Sequence, residues 1–225
     1  MKFCANCAAP VAKRVPPGDS LPRWLCDECG EIHYQNPKMV VGTIPEFEGK
    51  VLLCRRAIEP RYGLWTVPAG FMENGETTLQ GAARETLEEA NARVEVGPLY
   101  AVYNIPHINQ VYLLFRARLT DLAFSAGAET LEVRLFAQDE IPWNEIAFAT
   151  VRRTLTRYFA DRKTGQFPFH LGTIEPLKAA LQPPPAPEAK AHLTPALCPR
   201  STGGEEESGS AESRLRSRSY SVANK

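Results

Sequence analysis

The stretch GFMENGETTLQGAARETLEEAN, residues 70–91, decides the fold because it joins a loop that contains two glycines to a helix that carries spaced acids. Thr77 precedes the first apolar residue and Gln80 lies three positions later, the pattern of a capping box that begins a helix. Asn91 tolerates the left-handed conformation that ends many helices. The sequence therefore predicts a helix over residues 78–90, with a buried stripe that consists of Leu79, Ala82, Ala83, Thr86, Leu87 and Ala90.

Three acids share one face of this helix. Glu85, Glu88 and Glu89 stand at positions i, i+3 and i+4, which a rotation of about 100° per residue brings into a single arc beside the apolar stripe. Clustered like charges repel, and carboxylate oxygens are the ligands that hard divalent cations prefer. A solvated acidic helix face is the alternative interpretation. The preceding loop, residues 70–76, favours a ligand site because glycine lets the backbone approach a bound group closely.

The spacing of these residues resembles the signature of the Nudix hydrolases. That pattern is glycine, five residues, glutamate, seven residues, Arg-Glu, a hydrophobic residue, any residue, Glu-Glu, any residue, glycine and a hydrophobic residue. Identity and spacing match at Gly70, Glu76, Arg84, Glu85, Glu88 and Glu89. The chain departs from the pattern at three packing and capping positions, Thr86, Asn91 and Ala92. Segments 34–38, 63–71 and 135–142 resemble flanking parts of the family, so the resemblance spans about residues 1–175.

The resemblance implies attack of water on a diphosphate with the help of Mg²⁺ or Mn²⁺. Glu85, Glu88 and Glu89 are expected to hold the metal with help from the Gly70 carbonyl, while Arg84 orients the acids. Such cations neutralise phosphate oxygens and lower the pKa of bound water. The general base is left open between an acid of the signature helix and an acid of a distant loop. Candidates for the second option, with ordinary surface charge as their alternative, are Glu129 and Glu132.

The substrate that the resemblance implies is a nucleoside diphosphate derivative. The chain resembles plant plastid FAD pyrophosphatases, which yield FMN and AMP, and bacterial ribbon-bearing ADP-ribose pyrophosphatases, which yield AMP and ribose 5-phosphate. It lacks the proline- and tryptophan-rich segment of the NADH pyrophosphatases, which argues against that subgroup. A core or surface role is the alternative for each candidate substrate-binding residue: Arg55, Trp65, Tyr103, His107 and Tyr112. The rival hypothesis is a non-catalytic adaptor that binds a nucleotide or protein partner, and the intact acid set disfavours it.

Two C-x-x-C pairs precede this region. Cys4 and Cys7 are separated from Cys26 and Cys29 by eighteen residues, a spacing typical of zinc sites. Four thiolates fill a tetrahedral coordination sphere and leave no position for water, so we expect a structural zinc ion. Two disulfides or a redox-active dithiol are the alternatives, and a reducing intracellular setting disfavours the disulfides. His33 is interpreted as a surface histidine rather than a replacement ligand.

The order of the remaining patterns predicts an α+β fold, an α/β/α sandwich on a mixed Nudix-type sheet that follows a small zinc ribbon. Helices are expected over residues 78–90 and 150–163. Strands are expected over residues 40–44, 51–55, 94–96, 99–103, 111–118 and 133–136. Composition divides the chain into a zinc ribbon (1–37), a hydrolase domain (38–178) and a disordered tail rich in Pro, Ser and Arg (179–225).

The composition is that of an ordinary soluble globular protein, with 44% hydrophobic and 23% charged residues. The formal net charge is zero, so no bulk positive field favours nucleic acid, and the expected partner is a small nucleotide. No apolar run reaches the roughly 18 residues that span a bilayer, and no signal peptide is recognisable. We expect an intracellular, cytoplasmic protein, with a plastid as the alternative if the source is a photosynthetic eukaryote. The resemblance leaves a homodimer open.

Overall fold

The computed structural model describes residues 1–176. The predicted tail, 179–225, and the last two residues of the predicted hydrolase domain lie outside the described residues. Within residues 1–176, no helix is both long and apolar enough to cross a membrane. The first part of the chain forms a three-stranded antiparallel sheet of β1 (Val11–Arg14), β2 (Arg23–Cys26) and β3 (Ile32–His33).

The rest of the described chain forms a mixed eight-stranded sheet and two helices, α1 (Thr78–Ala90) and α2 (Ala149–Thr164). Its strands are β4 (Lys38–Phe47), β5 (Lys50–Arg56), β6 (Trp65–Thr66), β7 (Ala69–Phe71), β8 (Val94–Ile105), β9 (Gln110–Leu119), β10 (Thr130–Phe136) and β11 (His170–Thr173). Six of them lie in the order β10, β5, β4, β9, β8, β11. The pairs β4–β9 and β8–β11 are parallel, and the other pairs are antiparallel.

The centre of the sheet is split. β4 and β5 pair only beside their connecting turn, where Glu46 lies opposite Val51. Farther along, β6 pairs with β5 and β7 pairs with β4, with Gly70 opposite Val41. This arrangement inserts residues 65–71, and the start of the loop that leads into α1, into the middle of the sheet.

Alternate residues of the central strands face different helices. In β5, Leu53 belongs to the core that includes Leu155 of α2, whereas Leu52 and Cys54 pack with Ala90 of α1. Because successive side chains of a strand point to opposite faces, one apolar run serves both helices. The predicted α/β/α sandwich is confirmed.

The buried face of α1 differs from the predicted stripe. Leu79 and Leu87 are 47% and 49% exposed. Small residues let the helix lie close to the sheet, since a Cβ added at Gly81 would lie 2.9 Å from Val41 Cγ2. The prediction is confirmed for Ala82, Thr86 and Ala90 and was wrong for Leu79 and Leu87, because a periodic pattern gives the apolar arc but not the part of it that meets the sheet. The residues that are buried are Gly81, Ala82, Glu85, Thr86 and Ala90.

Thr86 occupies a position where the Nudix signature has a larger hydrophobic residue. Its hydroxyl is fully buried, lies 2.6 Å from Thr43 Oγ1 and donates to the Ala82 carbonyl at 2.7 Å. Both hydroxyls of the Thr43–Thr86 pair therefore have a partner, which a buried polar group requires. The departure from the family pattern is compensated across the helix–sheet contact.

Both predicted helices and all the predicted strands are present. The strands predicted over 94–96 and 99–103 are one strand, β8, with register shifts between Val96 and Leu99 and between Leu99 and Ala101. The sequence did not predict β1, β2, β3, β6, β7 and β11, which have only two to four residues each. Segments this short contain too few residues to show a period.

Candidate active site

The helix α1 is fixed at both ends by its own sequence. Gln80 N donates to the Thr77 hydroxyl at 3.2 Å, and Thr77 N donates to Gln80 Oε1 at 2.8 Å, which confirms the predicted capping box. Asn91 ends the helix in the left-handed conformation, with φ of 46°, and its backbone N–H donates to the Leu87 carbonyl. Local sequence therefore sets the register that brings the helix acids to one side.

Arg84 connects the loop before α1 to the acids of the helix. Its Nε and Nη2 donate to the two oxygens of Glu76 at 3.0 and 2.8 Å, and Nη2 also donates to the Phe71 carbonyl at 3.1 Å. Its Nη1 donates to Glu85 Oε1 at 2.8 Å and to Glu88 Oε2 at 3.0 Å. The hydrogen bonds from Arg84 lower the pKa of Glu76 to about 2. Arg84 thus holds Glu85 and Glu88 towards a single nitrogen.

Glu85 and Glu89 lie against the backbone of β7. A Cβ added at Gly70 would lie 2.3 Å from Glu85 Oε2, and Ala69 N donates to Glu89 Oε2 at 3.2 Å. Burial raises the pKa of Glu85, and it raises the pKa of Glu89 to about 8. The charges of Glu85 and Glu129 raise the pKa of Glu89 further. Water alone therefore stabilises the ionised acids poorly, and an added positive charge favours them.

These acids line a cavity of about 880 Å³. The polar part of its wall contains Gly70, Arg84, Glu85, Glu88, Glu89 and Glu129. The apolar part includes Phe71, Ile105, Ile108, Tyr112, Phe148 and Ile174. A cavity of this size with a few convergent polar groups in an apolar wall is typical of small-molecule sites.

The donor set suits a hard divalent cation, since it consists of carboxylate oxygens beside a backbone carbonyl. Glu85 and Glu88 both lie within 3.0 Å of Arg84 Nη1, so a cation that binds them shares these carboxylates with the guanidinium. In the described part of the chain, the cysteine quartet is the one group of three or more His, Cys, Asp or Glu whose ligand atoms all lie within 4.8 Å of one another. The glutamate oxygens are spread more widely than that.

Arg56 is a cavity residue that the sequence interpretation missed in favour of its neighbour. Its guanidinium lies 5.2 Å from the centre of the Phe148 ring, and its Nε donates to the Pro60 carbonyl at 3.0 Å. Among residues 1–176 it forms no ion pair within 4.0 Å. Burial raises the pKa of both Glu89 and Tyr112, and the charge of Arg56 opposes both shifts. Arg56 lines the same cavity as these two residues.

The four cysteines converge in the N-terminal sheet. The Sγ atoms of Cys4 and Cys29 lie 3.7 Å apart, and those of Cys7 and Cys26 lie 3.4 Å apart. Four sulfurs about 2.3 Å from a shared zinc ion lie about 3.8 Å from one another, so the quartet fits zinc. His33 was interpreted as an ordinary surface residue, but its Nε2 lies 3.2 Å from Cys4 Sγ. The pairing of β2 with β3, which places His33 opposite Trp24, brings it there.

Two known families match this chain. The family described as NUDIX domain matches residues 37–159, and the zinc-ribbon family described as Nudix N-terminal matches residues 2–35. The chain belongs to the Nudix family. A NUDIX hydrolase of known crystal structure from Nitrosomonas europaea is 64% identical, with a TM-score of 0.76, and the match covers 77% of this chain and 99% of that one.

Three relatives match this chain over shorter stretches. A MutT-like protein of Streptomyces ambofaciens is 34% identical over 102 residues, 45% of this chain and 64% of the relative. The NAD-capped RNA hydrolase NudC of Salmonella heidelberg is 35% identical over 94 residues, 42% of this chain and 35% of the relative. An ADP-ribose pyrophosphatase of Methanocaldococcus jannaschii is 30% identical over 115 residues, 48% of this chain and 67% of the relative. The chain thus spans only part of these relatives.

The predicted residues of the Nudix site separate into two groups. The acids of α1, Arg84 and Gly70 line the cavity, together with Glu129, His107 and Tyr112. Trp65 and Tyr103 do not line it; they lie in the hydrophobic core, 6% and 0% exposed, which is the alternative given for them above. Trp65 packs edge-on against Phe136, with ring centres 4.9 Å apart. Large aromatic side chains gain more from burial in the core than from a cleft wall.

Two further predicted residues lie outside the cavity wall. Arg55 donates from Nε to the Gly63 carbonyl at 2.8 Å and lies 3.9 Å from Glu132, its partner across β5 and β10. Both side chains are nearly half exposed, at 42% and 49%. Successive side chains of a strand point to opposite faces of the sheet. Arg56 therefore shares the face of Leu52 and Cys54, which pack with α1, whereas Arg55 shares the face of Val51 and Leu53. That alternation was available in the sequence.

Proposed function

We propose that this chain hydrolyses the pyrophosphate bond of a nucleoside diphosphate derivative, FAD or ADP-ribose, with Mg²⁺ or Mn²⁺ as the cofactor. The proposal rests on one observation, the cavity of about 880 Å³ that combines the three α1 glutamates with an apolar wall and with Arg56, which forms no ion pair within residues 1–176. Membership of the Nudix family supports the same reaction class. The fold of the family alone does not choose the substrate.

In this proposal Glu85, Glu88 and Glu89 hold the divalent ion, with the Gly70 carbonyl beside them. The ion supplies positive charge to the phosphate oxygens and lowers the pKa of bound water. Arg84 keeps Glu85 and Glu88 oriented through the hydrogen bonds from Nη1. A bound divalent ion would offset the repulsion between the three acids on one helix face.

Glu129 is the candidate general base. Its side chain lines the cavity, and its charge acts on Glu89. Glu132 is exposed and paired with Arg55, as expected of ordinary surface charge, so we do not propose it as the general base.

Arg56 is proposed to bind the diphosphate, since its guanidinium has no carboxylate partner among residues 1–176 and can donate to phosphate oxygens. Phe148 holds the Arg56 side chain from one side, and Tyr112 lies on the same cavity wall. The apolar wall then takes the ring system of the nucleotide, and His107 lies at its exposed edge.

We further propose that residues 1–37 act as a structural zinc ribbon and residues 38–178 as the hydrolase domain. The proposed partner is a small nucleotide rather than nucleic acid, and the proposed assembly is a homodimer. An intracellular location is likewise proposed from the sequence.

The test is a substrate panel of FAD, ADP-ribose, NADH, CoA and dinucleoside polyphosphates with Mg²⁺ and Mn²⁺. We expect turnover of FAD or ADP-ribose, and Glu89→Gln should lower kcat by about a hundredfold, as for the loss of one preorganised electrostatic contact. Arg56→Ala should raise KM about tenfold, because it removes charged hydrogen bonds to the diphosphate.

Arg134→Ala is the matched control for Arg56→Ala. Arg134 is also a strand arginine that stacks on a phenylalanine, with its guanidinium 4.9 Å from the Phe136 ring centre, but it lies outside the cavity wall. Equal effects of the two variants on KM would contradict the role of Arg56. A folded, zinc-loaded chain that cleaves no panel member with either metal contradicts the proposed function and favours the adaptor hypothesis.

A further inference from the structure

The loop of residues 121–129, called the capping loop below, covers the end of α1. Ser125 N donates to the Ala90 carbonyl at 2.9 Å, and Gly127 N donates to the Glu89 carbonyl at 3.0 Å. These carbonyls belong to the last turn of the helix, where no partner exists within the helix itself. The contact is close, since a Cβ added at Gly127 would lie 1.8 Å from the Glu88 carbonyl oxygen.

Asn91 adds a side-chain contact to this backbone contact. Its Nδ2 lies 3.0 Å from Ser125 Oγ, 3.2 Å from the Ala126 carbonyl and 3.4 Å from the Ser125 carbonyl. The amide has two hydrogens, so it satisfies two of these acceptors at a time. The Nudix signature has glycine at this position. Glycine adopts the same left-handed conformation but has no group that can donate to the loop.

The capping loop delivers Glu129 to the cavity. Thr130 N donates to the Gly127 carbonyl at 3.1 Å, and Ala57 N donates to the Glu129 carbonyl at 2.8 Å. The loop is therefore held by α1 at one end and by the segment after β5 at the other. The place of the Glu129 side chain relative to Glu89 depends on both attachments.

We propose that Asn91 is a positioning residue, whose side-chain amide ties the capping loop to the end of α1 and so holds Glu129 beside the metal-binding acids. This inference rests on the proposed function, in which Glu129 is the general base. It assigns a purpose to the departure of Asn91 from the family pattern. Asn91 itself does not line the cavity.

The decisive variant is Asn91→Gly, which keeps the backbone conformation and removes only the amide. We expect kcat to fall about fivefold, the effect of one net hydrogen bond, with KM little changed. The matched control is Glu48→Gly, because Glu48 has the same φ of 46° in the turn between β4 and β5. That control should leave kcat unchanged, and Asn91→Gly with wild-type kcat would overturn the inference.

A double-mutant cycle with Glu129→Gln separates positioning from general loosening. If Asn91 acts through Glu129, then Asn91→Gly has no further effect on kcat in the Glu129→Gln background. An equal fall in both backgrounds overturns the inference. Wild-type kcat in Glu129→Gln also overturns it, while the proposed function stands because substrate is still cleaved.

Hydrogen exchange of the loop amides gives a readout that does not depend on turnover. The amides of Ser125 and Gly127 should exchange about fivefold faster in Asn91→Gly than in the wild type or in Glu48→Gly, since opening the loop requires one fewer net hydrogen bond to break. Unchanged exchange overturns the tether. If the wild type cleaves no substrate, the proposed function falls together with the catalytic role of the tether, and exchange alone decides whether the tether exists.

Discussion

Glu89→Gln should stabilise the protein when no divalent cation occupies the carboxylate site, and more so as the pH rises. Burial raises the pKa of Glu89 from 4.5 to about 8. Between these two pH values the folded state keeps a proton on Glu89 that the unfolded state releases. A raised acid pKa means that the contribution of Glu89 to stability is present below pH 4.5 and is lost as the pH rises through about 8. Glutamine remains neutral and avoids this loss.

The size of the effect follows from the same shift. A change in pKa from 4.5 to about 8 corresponds to an upper limit of about 5 kcal/mol at about 1.4 kcal/mol per pKa unit. Glu89 is only partly buried, and the water that it contacts screens its charge, so we expect about 2 kcal/mol at pH 8.5. At pH 5 the difference between the variant and the wild type should be close to zero. Glutamine Oε1 retains the acceptor for Ala69 N.

Urea unfolding at pH 5 and at pH 8.5 measures this difference. The protein should be dialysed into magnesium- and manganese-free buffer without a strong chelator, because a chelator also strips the cysteine site. Glu88→Gln is the matched control: its side chain is 57% exposed, and an exposed ion pair contributes little. A stabilisation by Glu89→Gln that is the same at both pH values refutes the reasoning. Adding Mg²⁺ should stabilise the wild type more than Glu89→Gln, by mass action.

Three further predictions concern the surroundings of the site. Gly70→Ala should lower kcat/KM about a hundredfold with little change in zinc content, because the new Cβ would lie 2.3 Å from Glu85 Oε2 and displace that carboxylate. Activity near the wild-type value would show that the displacement is harmless. Thr86→Val should lower the free energy of unfolding in urea by about 2 kcal/mol, since it leaves Thr43 Oγ1 buried without its partner, whereas Thr43→Val/Thr86→Val should be nearly neutral. Additive losses of stability would argue against the hydroxyl pair. Cys29→Ser should lower the Tm and lower the zinc content, measured by plasma mass spectrometry, from about one ion per chain towards zero. Full zinc occupancy in this variant would contradict the four-cysteine site.

Short-range signals in the sequence determined much of this molecule. Thr77, Gln80 and Asn91 set both ends of α1, because capping is a contact between residues that are close in the chain. The spacing of Glu85, Glu88 and Glu89 put these acids on one side, since helical geometry is the same in every context. The cysteine spacing indicated the quartet for a similar reason: each pair occupies one tight turn.

Tertiary structure decided which side chains share the cavity. Arg56 and Glu89 are 33 positions apart, and they line the same cavity only because the fold brings β5 and α1 to it. Trp65 and Tyr103 were candidates for substrate binding, but the fold buries both in the core. The exposure of Leu79 and Leu87 depends on how closely α1 approaches the sheet. Residue type and period specify which face of an element is apolar. Only the packing of distant elements specifies what that face meets, and contacts between distant residues leave no local pattern in the chain.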